Sequence, residues 1–378
     1  MKRFFIVRVK RLRILLEMGC ICLVLSACSK SEVTTGEADS EDPPVIPQNL
    51  YYPPLQAGGQ WETISVEGLG WDAELATSLV SYLEAEGTQA FIILKDGKIV
   101  MESYFGDFTE SSLWYWASAG KTLTAFTVGI AQAEGKLKLE DSTADYLGEG
   151  WTTAPPEKEQ KIRIADQLRM TTGLDENIFE CTLPNCLQFK ADSGSRWAYH
   201  NGPYTLLQNV VAEAVSEEFS PYFNRVLRDR IGMDGFWLAQ GEGNNIYYSS
   251  ARSMARFGLL VLSKGVWDSE VILEDGRYTA DMLSTSQSMN KAYGYLWWLN
   301  GKDRYMAPGS QVVFSGSLIP SAPADLIAGL GKNDQKLYVV PSQNLVVIRM
   351  GNDAGDALVG PSSFDNALWQ RLSEMMGL

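Results

Sequence analysis

Two short patterns contain residues whose types and spacing could carry nucleophilic chemistry. In the first, Ser118 precedes Lys121 by three residues at the start of a helical segment, so the hydroxyl and the amine would share one face. A serine hydroxyl needs a neighbouring base, and a lysine can be that base when burial or another cation lowers its pKa. The helix N-terminus also favours developing negative charge. Ser118 is therefore a candidate nucleophile, although Ser-x-x-Lys also recurs by chance.

The second pattern, Tyr199-His200-Asn201, follows about 80 residues later. In an extended or turn segment, residues i and i+2 point the same way, so Tyr199 and Asn201 would face a cleft with His200 turned from it. A nearby lysine ammonium would lower the pKa of the Tyr199 phenol and let it act as acid or base. Ordinary packing is the alternative for each of these side chains.

Two other kinds of site match parts of these patterns. Gly120-Lys121-Thr122 matches the end of a phosphate-binding loop, but that loop requires glycine where Tyr115 stands. A Ser-His-Asp triad would need the single histidine of the chain, His200, and no Gly-x-Ser-x-Gly elbow is present. The phosphate-binding loop is therefore excluded, and a triad through His200 stays open as an alternative.

The flanking sequence predicts a mixed α/β body that would position these residues. An Asp-Gly pair at 96–97 joins two apolar, β-rich runs and predicts a hairpin. Helical periodicity that is followed by a glycine predicts the C-terminal ends of the helices at 71–86 and 121–134. From 141 to about 298 the pattern is mostly helical. The predicted helices are 71–86, 121–134, 204–215, 250–263 and 363–376, and the predicted strands are 90–94, 99–104, 325–328, 336–340 and 345–350.

The N-terminal residues predict a bacterial lipoprotein signal. A basic segment precedes an apolar run at 18–25 that is too short to span a membrane stably, and Leu25-Ser26-Ala27-Cys28 follows. Residues 1–27 would be removed and Cys28 acylated, with an ordinary signal peptide as the alternative. Ser29 in place of aspartate favours the outer membrane, facing the periplasm or the cell surface. Residues 28–58 would be the lipidated cysteine and a flexible tether, and 59–378 the folded domain.

Charge and cysteine content limit the partners. The formal net charge of −14 disfavours nucleic acid. Outside the predicted signal and Cys28, the remaining pair is Cys181 and Cys186, and an oxidising compartment favours a local disulfide over two free thiols. No histidine lies near them to form a zinc site, and no metal or organic cofactor is implied. The sequence does not indicate an oligomeric state.

Together, Ser118-x-x-Lys121 and Tyr199-x-Asn201 resemble the β-lactamase-related serine hydrolases, which include class C β-lactamases, DD-peptidases, family VIII esterases and 6-aminohexanoate-dimer hydrolases. The resemblance spans about 60–375 and includes the segments 164–174, 250–258 and 293–298. It implies a three-layer α/β (α+β) sandwich, with an antiparallel sheet flanked by helices and a helical lobe inserted at about 125–290. It also implies an acyl-enzyme on Ser118, proton transfer by Lys121 and Tyr199, and substrate positioning by Asn201.

The chain departs from this family at the third motif. Where the family often has Lys-Thr-Gly or His-x-Gly on an edge strand, the best match is Gly329-Leu330-Gly331, without a cation. That cation helps to hold the carboxylate of β-lactams, so its absence weakens a β-lactamase or DD-peptidase assignment.

The pattern favours an amide or ester hydrolase similar to 6-aminohexanoate-dimer hydrolases and esterases. The resemblance assigns Gly331 and Gln335 to the substrate site and makes the Lys332 N–H the second oxyanion donor, beside that of Ser118. Among the aromatic residues near the motifs, Trp197 is expected in the wall of the cleft. The alternative class is a non-catalytic scaffold lipoprotein, which the intact Ser118, Lys121 and Tyr199 disfavour.

Overall fold

The computed structural model describes residues 49–56, 59–178, 180–241, 244–357 and 359–378. The predicted signal, the predicted lipid site Cys28 and most of the predicted tether lie outside the described residues. Within these ranges, no helix is long and apolar enough to cross a membrane. The described His, Cys, Asp and Glu side chains form no group of three or more that could hold a metal ion.

A six-stranded antiparallel sheet forms the centre of the molecule, in the order β2-β1-β13-β12-β11-β8. Its central strands are buried along nearly their whole length and are mostly apolar because both faces of the sheet are covered. The described strands are β1 Thr88–Lys95, β2 Lys98–Tyr104, β3 Trp114–Tyr115, β4 Phe236–Gln240, β5 Asn244–Ser249, β6 Val266–Trp267, β7 Glu270–Val271, β8 Trp298–Leu299, β9 Arg304–Met306, β10 Val313–Ser315, β11 Ile327–Gly331, β12 Gln335–Val340 and β13 Leu345–Gly351.

The predicted hairpin between β1 and β2 is present. Asp96 and Gly97 both have positive φ, 51° and 82°, which is the backbone that a two-residue turn between twisted strands requires. Gly97 is also required for space, since a Cβ there would lie 1.9 Å from the Tyr51 carbonyl oxygen. The turn therefore fixes the register of β1 against β2.

Helices cover both faces of the sheet. Val346 of β13 contacts the helix Ala251–Leu262 (α8) at Gly258. Arg349, three residues along the same strand, lies under Phe364 of the helix Ser363–Met376 (α10). Because side chains alternate along a strand, α8 and α10 are on opposite faces. The described helices are α1 Ala73–Ala85, α2 Lys121–Ala133, α3 Ala144–Leu147, α4 Pro156–Glu159, α5 Ile164–Arg169, α6 Asn201–Val215, α7 Phe219–Phe223, α8 Ala251–Leu262, α9 Gly276–Met282 and α10 Ser363–Met376. The three-layer fold that the sequence predicted is confirmed.

The segment between the two halves of the sheet is less helical than predicted. Helices α3 to α9 lie there, but β5 pairs with both β3 and β4 in a small separate sheet, and β6 pairs with β7. The prediction missed β4 because four of its five residues are exposed, so it lacks an alternation of apolar and polar positions. This small sheet nevertheless matters for the site, because β3 leads directly into the turn that carries Ser118.

Candidate active site

Ser118 lies in a short 3-10 turn, Ala117–Gly120, that continues directly into α2. This junction brings the Lys121 Nζ atom to 2.8 Å from Ser118 Oγ, which is hydrogen-bonding distance. Ser118 is 7% exposed and Lys121 only 1%. The pair predicted from the three-residue spacing is therefore formed, with the amine buried and the hydroxyl at the edge of the interior.

The backbone at the nucleophile is in an uncommon conformation. Ala117 has φ of +47°, in the left-handed region that a residue with a Cβ rarely adopts. The adjacent Trp116 fixes this turn, because its N–H donates to the Tyr247 carbonyl at 2.8 Å and its indole Nε1 to Ser249 Oγ at 2.7 Å. The small sheet thus orients the turn and holds Ser118 beside Lys121.

The surroundings of Lys121 favour a neutral amine. Within the described residues no ion pair joins Lys121 to a carboxylate, and its Nζ lies 4.9 Å from the centre of the Tyr199 ring and 4.0 Å from that of Tyr204. Burial lowers the pKa of Lys121 well below its ordinary value, while the negative charge of Glu180 acts in the opposite direction. Lys121 can therefore accept the proton of Ser118.

The environment of Tyr199 differs from the one that the sequence suggested. Burial raises the pKa of the Tyr199 phenol, and its hydrogen bond with Ser118 opposes that rise only in part. The expectation that a lysine ammonium would lower this pKa is wrong, because both groups are almost completely removed from water. Tyr199 is thus a neutral phenol that can relay a proton, and the buried Lys121 amine is the group of the two that can accept one.

Asn201 and His200 have separate roles. Asn201 begins α6, and its Oδ1 is buried without a hydrogen-bond partner among the described residues. A buried amide oxygen without a described partner, two residues from Tyr199, can accept a hydrogen bond from a ligand N–H. The His200 Nε2 atom instead lies 3.1 Å from the Ile178 carbonyl oxygen, and burial lowers the pKa of His200 to about 4. The structure therefore gives His200 a packing role.

The third motif packs directly against the nucleophile turn. A Cβ on Gly331 would lie 2.4 Å from the Trp116 carbonyl oxygen, and a Cβ on Gly329 would lie 3.2 Å from Thr122 Cγ2. The backbone of the nucleophile turn therefore requires glycine at Gly331, and Gly329 is tightly packed against α2. Lys332 follows directly on β11, with an exposed side chain.

The assignment of Gln335 to the substrate site is wrong. Gln335 is fully buried, and its amide nitrogen donates to the carbonyls of Asn333 at 2.8 Å and Gly351 at 2.7 Å. Its Oε1 accepts the Gly351 N–H at 3.0 Å. Arg349 Nη1 donates to the Asn333 carbonyl as well, at 3.1 Å. Both side chains therefore hold the turn that begins at Lys332.

Trp197 also differs from its predicted position in the cleft wall. It is 1% exposed, and its ring packs edge-on against Tyr293 at 5.5 Å and Trp298 at 6.1 Å. The Tyr199 ring lies 6.4 Å away. Trp197 therefore supports the aromatic cluster around Tyr199 from the interior and offers almost no surface to a ligand.

The disulfide between Cys181 and Cys186 is present, and its loop lies beside the site. A Cβ on Gly202 would be 2.3 Å from the Cys181 carbonyl oxygen, so the loop packs on the first turn of α6. This contact brings Glu180 close enough for its charge to act on Lys121 and Tyr204.

Sequence reasoning missed both Glu180 and Tyr204. Tyr204 follows Asn201 by three residues in α6, so helical spacing from the Tyr-x-Asn motif could have identified it. Glu180 has no comparable signal, because its position depends on the fold of the disulfide loop.

Ser118, Lys121 and Tyr199 thus lie together on a three-layer α/β fold. The Beta-lactamase family model matches residues 80–367, and the chain belongs to this family of β-lactamase-related serine hydrolases. No curated protein sequence matched the chain.

Solved structures share the fold at low sequence identity. A proposed beta-lactamase from Bacteroides dorei superposes with a TM-score of 0.63 at 15% identity, covering 82% of this chain and 100% of its own. A proposed 6-aminohexanoate-dimer hydrolase from Bacillus anthracis gives 0.63 at 19% identity, covering 88% and 90%. A family VIII carboxylesterase gives 0.61 at 12% identity, covering 80% and 97%. At these identities the likeness concerns the fold.

Proposed function

We propose that this protein is a serine hydrolase that cleaves an amide or ester through an acyl-enzyme on Ser118. The observation that carries the proposal is the 2.8 Å contact between Ser118 Oγ and the buried Nζ of Lys121. A scaffold protein has no need of an unpaired buried lysine, since burying an amine without a counter-charge is unfavourable. The whole arrangement is similar to that of the esterases and amide hydrolases of the family.

In the proposed acylation, Ser118 Oγ attacks the substrate carbonyl carbon while its proton passes to Lys121 Nζ. The carbonyl oxygen becomes an oxyanion, which the backbone N–H groups of Ser118 and Lys332 would stabilise. The bond to the leaving amine or alcohol then breaks, and that group takes the proton from Lys121 through the Tyr199 phenol. Asn201 Oδ1 would accept a substrate N–H.

Water completes the cycle. It attacks the acyl carbon, gives its proton to the same Lys121 and Tyr199 unit, and releases the acid, while Ser118 regains its proton. Atoms therefore balance over the two steps, and one water is consumed for each bond cleaved.

Two charge features support a substrate without a carboxylate near the scissile bond. The first position of the third motif is Gly329, so the cation that would hold a β-lactam carboxylate is missing. Glu180 adds a negative charge that acts on Lys121 and Tyr204; although its side chain is exposed and water weakens its field, the charge would still disfavour an anionic acyl group. We therefore propose neutral or amine-bearing esters and amides, with β-lactam turnover or DD-peptidase activity as the alternative.

A substrate panel tests this proposal. The wild type, Ser118→Ala and Ser81→Ala, a control at an exposed serine of α1, would be assayed with nitrophenyl esters, 6-aminohexanoate amides and a labelled penicillin. We expect ester or amide turnover by the wild type and Ser81→Ala alone, without stable penicillin labelling. Rapid penicillin labelling or turnover would favour the alternative, and no activity with any probe would favour a scaffold.

The cellular location is proposed from the sequence pattern alone. We propose that Cys28 anchors the protein to a membrane of the cell envelope through lipid, most simply the outer membrane. Metabolic labelling with a radioactive fatty acid tests this: label on the wild type and none on Cys28→Ala is expected, and label on neither would contradict it.

A further inference from the structure

The Lys121 ammonium must form at a site where no described carboxylate makes an ion pair with it. After Ser118 gives up its proton, the charge lies on a side chain that is 1% exposed and, in the described part of the chain, has no carboxylate partner. An isolated ammonium in such surroundings is strongly unfavourable. Some other group must stabilise it for the proton transfer to be efficient.

Among the described residues, the nearest aromatic face is that of Tyr204. Lys121 Nζ lies 4.0 Å from its ring centre, closer than the 4.9 Å to the Tyr199 ring. A cation over the face of an aromatic ring is attracted by the ring quadrupole, most strongly when both are removed from water. At 2% exposure, Tyr204 meets that condition.

The orientation of Tyr204 is fixed from two sides. It is on the first turn of α6, three residues after Asn201, and its hydroxyl donates to Asn244 Oδ1 at 2.8 Å. The hydroxyl is therefore engaged at a distance from the lysine, and the ring face is the part that meets Nζ. Tyr204 and Asn201 share one helix face, so the same helix orients both toward the site.

The other titratable groups around Lys121 do not replace this contact. Burial raises the pKa of the Tyr199, Tyr204 and Tyr293 phenols, so all three are neutral near pH 7. Ser118 is the proton donor itself. Among the described residues, Glu180 is the charged group that acts on Lys121, but its exposed side chain forms no ion pair with the amine, and water weakens the interaction.

We propose that Tyr204 is a positioning residue that holds the protonated form of Lys121 through its ring face and so sets the pH range in which Lys121 works as base. The proposal rests on the proposed serine hydrolase function. Loss of the ring would make Lys121 a weaker base. The neutral amine would then persist to lower pH, but proton transfer from Ser118 would be slower. Loss of the ring would therefore extend activity to lower pH while it lowers the maximal rate. General damage to the fold would lower the rate without extending the pH range.

The test is the pH dependence of kcat/KM for a nitrophenyl ester, normalised by titration of active sites with a fluorophosphonate. Tyr204→Phe keeps the ring and removes the hydroxyl, whereas Tyr204→Leu and Tyr204→Met remove the ring and retain apolar bulk. Tyr222→Leu is the matched control, because Tyr222 is equally buried and its hydroxyl contacts Glu134 away from the site.

For the ring-free variants we expect the acidic limb of the profile to move about one pH unit lower and the plateau to fall about tenfold. Tyr204→Phe and Tyr222→Leu should keep the limb at the wild-type pH. A limb that stays in place in both ring-free variants would overturn the proposal, and so would an equal shift in Tyr204→Phe. Ester hydrolysis that survives in Ser118→Ala would instead show that the proposed function fails.

Discussion

His200 allows a quantitative test of how the interior next to the active site is built. Its Nε2 faces the Ile178 carbonyl oxygen at 3.1 Å and must therefore carry the proton, which leaves Nδ1 as a buried acceptor without a partner in the described residues. Protonation of Nδ1 would create a buried charge with a donor that nothing accepts. The pKa of His200 accordingly falls from 6.5 to about 4.

The sign of the effect on stability follows from this lowered pKa. Between pH 6.5 and about 4 the unfolded chain binds a proton at this position that the folded chain does not, so stability falls as the pH falls. Between pH 7 and pH 5, this difference in proton binding costs about 2 kcal/mol of the free energy of unfolding. The His200→Gln variant cannot titrate, and its amide nitrogen can still donate to Ile178.

Urea unfolding of the wild type and His200→Gln at pH 7 and pH 5 measures this quantity. Both proteins share every carboxylate, so the difference between their pH-dependent losses isolates His200, and we expect the wild type to lose about 2 kcal/mol more. Equal losses in the two proteins would refute the buried, neutral state of His200. The variant should also keep most of its activity. A collapse comparable to that of Ser118→Ala would instead make His200 the base.

Three further changes test the scaffold of the site. Gly331→Ala should lower the free energy of unfolding by about 2 kcal/mol or more, since its Cβ would lie 2.4 Å from a backbone oxygen. Its control, Gly276→Ala, has open space around the Cβ and should be neutral or stabilising in thermal melts. Removal of the bond between Cys181 and Cys186 by a double serine substitution should cost at most about 2 kcal/mol in urea unfolding, because the closed loop is short; a much larger loss would contradict a local role. Gln335→Leu should cost about 3 kcal/mol by leaving buried groups unpaired and should lower kcat more than it changes KM. A pure rise in KM would contradict its role in holding the turn.

Local signals in the sequence identified much of the fold. The Asp96-Gly97 turn, the helix that starts at Lys121 and the final helix, Ser363–Met376, all depend on spacing and turn chemistry within a short stretch of chain. The contact between Ser118 and Lys121 is local in the same sense, because the three-residue spacing fixes it once a helix forms. Such features do not require knowledge of the rest of the molecule.

The errors at the site concern contacts and burial that depend on distant parts of the chain. Gln335 has the residue type of a ligand contact, yet the buried turn and the end of β13 use all of its hydrogen-bonding capacity. Trp197 is close to the site in sequence but is enclosed by aromatic rings more than ninety residues away. The pKa of Tyr199 was assigned in the wrong direction because composition gives no measure of burial.

The central claim is that Ser118 is the nucleophile and Lys121 its base. Mass spectrometry of the protein after reaction with a fluorophosphonate tests it most directly, with Lys121→Met and the exposed Lys136→Met as a matched pair. We predict one adduct on the wild type and on Lys136→Met, located on the peptide containing Ser118, and labelling of Lys121→Met slowed by a hundredfold or more, since a positioned general base contributes about 10² to 10⁴. An adduct on another residue, or equal labelling rates in all three proteins, would contradict the account.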